Sequence, residues 1–284
     1  MSSELRVVIL GSRGMLGTDL AAAFGGVAEL TLLDREELDV TNGAAVTTKL
    51  TALKPDVIIN ATGYTDVDGA AGARELAFRL NAEAVGYLVT AAKAVGARLV
   101  HFSTEYVFDG TGPEGYNETA AVNPLNVYGE SKAAGEQHVT HYEHGYLVRS
   151  SWLYGHSPQR GKPRGMNFVD TMLRLAGEKP EVRVVNDQFG KLTNTKDLAH
   201  AVVRLVGGDN APGIYHLVNE GVASWYEVAK EIFSLKGVTT PLIPISSAEY
   251  PTKAQRPQRA VLLNTKFPPL RPWQEALREY LEVR

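Results

Sequence analysis

Tyr128-Gly-Glu-Ser-Lys132 sets a phenol and an ammonium one helical turn apart on the same face. An unperturbed tyrosine titrates near ~10, too high for good proton transfer at neutral pH. A neighbouring cation stabilises the phenolate and lowers that value. The pair is therefore suited to giving a proton to a carbonyl oxygen while hydride arrives at the carbon. Thr104, closing the run His101-Phe-Ser-Thr104 upstream, can supply a third hydroxyl. Alone, such a pair is common and reads as a bland surface contact. What lifts it is a second motif near the start of the chain.

Gly11-Ser12-Arg13-Gly14-Met15-Leu16-Gly17 directly follows the apolar run Val7 to Leu10 and opens a helical pattern. Glycines there permit a tight turn and close approach of backbone to a diphosphate, whose charge sits at the helix N-terminus. Asp34 ends the second apolar run, about twenty residues beyond the turn, where an acid accepts hydrogen bonds from an adenosine ribose. That favours NADH. Arg13 and Arg35 are close enough in sequence to receive a 2′-phosphate, so NADH or NADPH is the expected cofactor.

These groups need a scaffold of alternating strands and helices. Strands are expected at Val7 to Leu10, Leu30 to Leu33, Val57 to Asn60, Arg98 to Phe102 and Tyr146 to Val148, with helices near 15–24, 43–53, 72–95 and 126–140. Apolar strands alternating with helices predict an α/β fold, a doubly wound parallel sheet of Rossmann-like type covered on both faces. Beyond Arg149 the pattern predicts helices near 167–177 and 197–206 and strands at Val182 to Val185 and Ile214 to Val218. Ser224 to Glu227 reads as a capping box, and Pro272 as the first helical position of the last helix. The expected division is a dinucleotide-binding domain over 1–149, to which 191–222 returns, and a smaller C-terminal substrate-binding lobe from 150–190 and 223–284. The glycine-, proline- and arginine-rich stretch 155–165 reads as an exposed loop.

Composition narrows the class. The 284 residues are 44% hydrophobic and 21% charged, with a net charge of −3 and no cysteine. Disulfides and thiolate metal sites are excluded, and a nucleic-acid partner is disfavoured. No apolar run reaches membrane-spanning length, and the first residues do not read as a signal peptide. A cytoplasmic protein with no membrane partner is expected.

Seven segments then carry a specific resemblance: LDREELDVTN (33–42), PDVIINATGYTDVD (55–68), FSTEYVFDGTG (102–112), NPLNVYGESKAAGE (123–136), VRSSWLYG (148–155), VNDQFGKLT (185–193) and YPTKAQRP (250–257). Across nearly its whole length the chain resembles the dTDP-4-dehydrorhamnose reductases, extended short-chain dehydrogenases that reduce the C4 keto group of a nucleotide sugar. The resemblance implies Tyr128 as proton donor, Lys132 as its partner and a ribose ligand, and Thr104 as the hydroxyl that tunes it. It places Gly14, Met15 and Leu16 at the diphosphate, Asp39 and Val40 at the adenine, and Gly63, Tyr64 and Thr65 beside the nicotinamide. It gives Thr104, Glu105, Trp152 and Arg256 to the sugar nucleotide, core packing being the competing reading for Trp152 and a structural ion pair for Arg256.

The chain departs from the pattern in places. Glu105 stands where the family usually has Asp, and Val67-Asp-Gly-Ala-Ala71 lacks the usual Glu. Positions that hold Mg²⁺ at a dimer interface in some members correspond to Asp19 and Lys196. A charged lysine cannot ligate a divalent cation, so no metal is expected; a homodimer stays open. Loop 155–165 looks longer than usual and reads as a solvated insertion ahead of a basic lid over the substrate diphosphate. Two rivals stand beside the reductase. One is another nucleotide-sugar epimerase or reductase of the same fold; a dehydratase would need a second acid where Tyr106 stands. The other is a non-catalytic subunit resembling the regulatory subunit of methionine adenosyltransferase.

Overall fold

A computed structural model describes residues 5–161 and 163–283; the N-terminal residues 1–4, Lys162 of the loop and Arg284 lie outside the described residues. The first half runs β1 (Arg6–Leu10), α1 (Met15–Phe24), β2 (Glu29–Leu33), α2 (Gly43–Leu53), β3 (Val57–Asn60), α3 (Arg74–Phe78), α4 (Ala84–Val95), β4 (Arg98–Thr104), α5 (Val127–Thr140) and β5 (Gly145–Ser150). There follow β6 (Leu153–Tyr154), α6 (Phe168–Glu178), β7 (Val182–Val185), β8 (Phe189–Gly190), β9 (Thr193–Asn194), α7 (Thr195–Gly207) and β10 (Gly213–His216). The chain ends with β11 (Ala223–Ser224), α8 (Trp225–Lys236), β12 (Leu242–Ile245) and α9 (Trp273–Glu282). Among the described residues no helix is long and apolar enough to cross a membrane.

Six parallel strands form the main sheet in the order β10-β5-β4-β3-β1-β2. Their apolar runs alternate between two buried faces, as a parallel sheet requires. Val7, Ile9, Val57 and Ile59 pack on Leu16, Leu20 and Phe24 of α1 and Val202 and Leu205 of α7. Val8, Leu10, Ile58 and Leu99 face Val46 and Leu50 of α2 and Val85, Leu88 and Val89 of α4. Each large side chain so buried contributes roughly 1.5–3 kcal/mol. The chain moves outward from β1 to β2 and then returns to β3 on the other side of β1. At that reversal a crevice opens beyond the carboxyl ends of the strands, where ligands bind in open α/β sheets.

A separate apolar cluster joins Val169 and Met172 of α6, Val228 and Ile232 of α8 and Trp273, Leu277 and Tyr280 of α9. Ser224 and Glu227 form the expected capping box. Pro272 is the N-cap in extended conformation (ψ 142°), one position before the helix that it was expected to begin.

The continuous helix expected over 72–95 is broken. A 3-10 turn at Gly69–Gly72 precedes α3, and a π-helical turn, Arg79–Glu83, joins α3 to α4. Helix propensity reads Arg74 to Val95 as one rod; tertiary bonds made by Asn81, described below, select the wider turn instead. The strand expected to end at Phe102 continues to Thr104, and that expected over Ile214 to Val218 pairs with β5 over Gly213–His216.

Candidate active site

Gly11 leaves β1 with φ +74° and donates its N–H to Leu33 O at 2.9 Å, tying the turn to the end of β2. A side chain at Gly17 would lie 2.1 Å from Gly11 O, so only glycine lets α1 start this close to the turn. Gly14 caps α1 with neither a side-chain cap nor an acid in the first turn. The unpaired amides and positive dipole end there are available to an anion. A cavity of about 740 Å³ opens beside them. All the residues expected to hold a cofactor line it: Gly11, Gly14, Met15, Leu16, Gly17, Asp34, Asp39, Val40, Gly63, Tyr64, Thr65, Tyr128 and Lys132.

Asp34 sits at the cavity's far corner and accepts the backbone N–H groups of Arg13 (3.0 Å) and Arg35 (2.8 Å). The Arg13 guanidinium is bound to Glu36 and Glu37. This corrects the expectation that Arg13 waits for a 2′-phosphate: two neighbouring carboxylates already hold it. Asp39 is held below the usual carboxylate range, first by the Thr41 hydroxyl and amide, with Arg35 and Arg79 adding their charge.

Asn126 caps α5 through Gly129 N at 2.9 Å, setting the phase that turns Tyr128 and Lys132 to the cavity. One turn beyond Lys132, Glu136 accepts two bonds from Arg149 of β5, at 2.9 and 2.7 Å, and pins the helix to the sheet. Both charges are almost fully buried, and removing either would cost ~3–5 kcal/mol. The Lys132 ammonium donates to Phe102 O at 2.6 Å; burial pushes its pKa down to about 8. Tyr128 meets Tyr106 edge-on at 5.6 Å. Its phenol is pushed up, chiefly by burial and then by the Glu105 charge, while the Thr104 hydroxyl pulls it down. This corrects the expectation that Lys132 sets this pKa by lowering it. In the structure the ammonium is directed to a backbone carbonyl, and burial dominates.

Thr104 and Glu105 lie buried behind Tyr128, with Thr104 Oγ1 donating to Glu105 Oε2 at 2.8 Å. Burial raises the Glu105 carboxyl to about 7. Arg256 faces a second cavity of about 860 Å³, lined also by Asp109, Phe189, Tyr250 and Arg259. Its guanidinium bonds Asp68 at 2.8 Å and lies 5.7 Å from the Tyr106 ring, so the ion pair and the cavity position coexist. Trp152, at φ +48°, stacks on Trp225 at 3.6 Å and packs above Gly190. It lines neither cavity.

Two contributors escaped the sequence reading. Asn81, fully buried in the π turn, donates to Tyr64 O (3.1 Å) and Ser131 Oγ (2.9 Å) and accepts Tyr64 N (2.8 Å). It fixes the Gly63–Thr65 wall against α5. A lone amide within an apolar helical pattern was the available signal. The other is loop 155–165. Gln159, Arg160 and Gly161 line the 740 Å³ cavity. These three residues are therefore part of the cavity wall and do not stand wholly in solvent, as a plain insertion would.

Among the described residues no group of three or more His, Asp or Glu is arranged to hold a metal ion. Lys196 instead donates to Glu279 at 2.6 Å, and Asp19 accepts the Thr195 hydroxyl.

Comparison with known proteins gives consistent matches. The family model described as RmlD substrate binding domain matches residues 5–284. The spore coat polysaccharide biosynthesis protein SpsK of Bacillus subtilis (strain 168) is 36% identical, covering 98% of each chain. The dTDP-4-dehydrorhamnose reductase of Escherichia coli (strain K12) is 36% identical over 93% of this chain and 91% of its own. A crystal structure of dTDP-4-dehydrorhamnose reductase from Bacillus anthracis, in complex with NADP, superposes with a TM-score of 0.92 at 36% identity. It covers 99% of this chain and 100% of its own.

Proposed function

The chain belongs to the dTDP-4-dehydrorhamnose reductase family, and from that premise we propose that it reduces the C4 keto group of dTDP-4-dehydro-L-rhamnose to give dTDP-L-rhamnose. The observation that carries the reading is the convergence of Tyr128, Lys132 and the glycine turn on one cavity, with Thr104 behind the phenol. The cavity fits a dinucleotide: an uncapped helix N-terminus for diphosphate, a carboxylate for ribose, and a crowded turn that only glycine can form.

NADH or NADPH is the cofactor. Gly11, Gly14, Met15, Leu16 and Gly17 hold the diphosphate, Asp34 the ribose, Asp39 and Val40 the adenine, and Gly63, Tyr64 and Thr65 the nicotinamide side. The chemistry the reduced dinucleotide supplies when bound is a hydride. Tyr128 gives its hydroxyl proton to the C4 oxygen, completing the alcohol and leaving a phenolate. The phenol is protonated at neutral pH, but burial weakens it as an acid, so the transfer depends on stabilising the phenolate as it forms. Lys132, still largely cationic with a pKa of about 8, stabilises the phenolate charge as it forms and binds the ribose. Thr104 holds the phenol hydroxyl in place, and Glu105 and Arg256 bind the sugar nucleotide. Trp152, stacked on Trp225, shapes that side from behind. Residues 1–149 with 191–222 form the dinucleotide domain; 150–190 and 223–284 form the lobe that takes the sugar nucleotide.

The test is to supply the keto-sugar with NADH or NADPH, follow oxidation of the dinucleotide, and identify the product. Stoichiometric oxidation with a C4 alcohol as product supports the reading. An epimer or dehydrated sugar formed without net oxidation would replace it, as would turnover of no keto-sugar at all.

A further inference from the structure

We infer that Arg160, carried across the groove on loop 155–165, makes this chain discriminate dinucleotides bearing a 2′-phosphate from those bearing a 2′-hydroxyl. The inference rests on the dinucleotide reading above and assigns a role within that site.

The Asp34 carboxylate stands where an adenosine ribose is held, and alone it would repel a 2′-phosphate. Three nearby arginines differ in what they do. Arg13 is taken by Glu36 and Glu37. Arg35 bonds Asp34 through its backbone, and its side chain lies on the rim. Arg160 is the one whose guanidinium reaches the carboxylate, at 3.4 Å, from 126 positions along the chain. The Asp34 side chain is 11% exposed and that of Arg160 57%, so a half-buried acid is met from the solvent side by an exposed cation.

The loop is built to keep that cation there. Gln159 N donates to Gly165 O at 2.8 Å, closing the segment on itself. The Arg160 carbonyl accepts the Thr65 hydroxyl at 3.4 Å, on the opposite wall of the groove from Asp34. Gly161 follows at φ +86°, and a side chain there would lie 2.9 Å from Thr65 Oγ1. Residue 160 is thereby fastened to both walls, by its side chain at β2 and by its backbone beyond β3. When the ribose carries a hydroxyl, Asp34 accepts from it and Arg160 stays paired. When it carries a phosphate, the guanidinium has a more highly charged acceptor that it can grip with two parallel N–H groups. Arg160 then moves its bonds from carboxylate to phosphate, offsetting the repulsion.

The experiment titrates intact protein with NADPH and with NADH, no keto-sugar present, and reads Kd by calorimetry or by fluorescence of the bound nicotinamide. Arg160→Ala should weaken NADPH roughly ten- to a hundred-fold, the range of a charged hydrogen bond. NADH should change less than about three-fold, as expected for loss of an exposed ion pair. Arg160→Lys should fall between wild type and Ala for NADPH, because an ammonium keeps the charge and loses the fork. Equal fold-changes for both dinucleotides, or an unchanged NADPH Kd, would overturn the inference while leaving the dinucleotide site intact. Failure of wild type to bind either dinucleotide would overturn the site reading and this inference together.

Discussion

Thr104 Oγ1 donates to Glu105 Oε2 at 2.8 Å, and the same hydroxyl lowers the pKa of the half-buried Tyr128 phenol, so the two buried groups act on the tyrosine in series. Tyr106 N donates to the same Thr104 oxygen at 3.2 Å and fixes its position. The phenol is the member of this series that also faces the cavity.

Tyr128→Phe should therefore abolish most turnover and little else. Loss of a positioned acid costs about 10²–10⁴-fold in kcat. The ring remains against Tyr106, so thermal stability and the Kd for dinucleotide should stay near wild type. Steady-state rates beside a dinucleotide titration check this. A near-normal kcat in the variant would remove Tyr128 from the chemistry.

Glu105 predicts a pH effect whose sign follows from burial. Its pKa is raised from 4.5 to about 7, so between those values the folded chain binds a proton that the unfolded chain releases. Its contribution to stability is complete below about 4.5 and declines as pH rises towards 7. Glu105→Gln keeps an acceptor for Thr104 and cannot ionise. Denaturant unfolding of both proteins across this window should show the variant gaining on wild type as pH increases. The same charge opposes phenolate formation at Tyr128, so kcat should fall above neutral pH in wild type and fall less in the variant. Parallel profiles in both measurements would show Glu105 to be silent.

Chelation should do nothing. Lys196 and Arg271 both bond Glu279, holding its carboxyl down to about 2, so its charge is already met by two protein cations. EDTA should alter neither the rate nor the sedimentation coefficient. Reversible loss of either, restored by Mg²⁺, would show that other acids hold a metal.

Elements whose signal is local were legible in the sequence. The runs Val7 to Leu10 and Val57 to Ile59 are apolar without interruption, which suits strands buried on both faces, and they form neighbouring strands. Asn126, Ser224 and the glycine turn carry cap and turn chemistry within a few residues, and each element starts where they imply. What was not legible depends on partners distant in the chain. The π turn exists because Asn81 bonds Tyr64 and Ser131, and although Asn81 stands out as a lone amide, its partners lie outside Arg74 to Val95. Arg13 was misjudged for a similar reason: proximity in sequence to Asp34 did not reveal that Glu36 and Glu37 would take its guanidinium. Loop 155–165 shows its role only once the fold brings Arg160 to Asp34.

Asp34 should bias the enzyme towards NADH, and removing its charge should shift the ratio of kcat/KM towards NADPH. The carboxylate accepts the Arg13 and Arg35 amides and lines the dinucleotide cavity. Asp34→Asn is the informative change, because it removes the charge at constant size while its amide oxygen keeps one of the two backbone bonds, the other falling to the amide nitrogen. Loss of a charged acceptor for the ribose hydroxyls costs NADH roughly 1.5–3 kcal/mol, about ten- to a hundred-fold. NADPH gains by losing a repulsion, so the two effects move the ratio in the same direction. Arg35→Ala should move it back towards NADH by a smaller factor, since that side chain stands on the solvent rim. Arg13→Ala should leave it in place, its guanidinium being bound to Glu36 and Glu37. Rates with both dinucleotides in all four proteins decide the matter. If Asp34→Asn leaves the ratio unchanged, the carboxylate only braces the turn and the dinucleotide is chosen by other residues.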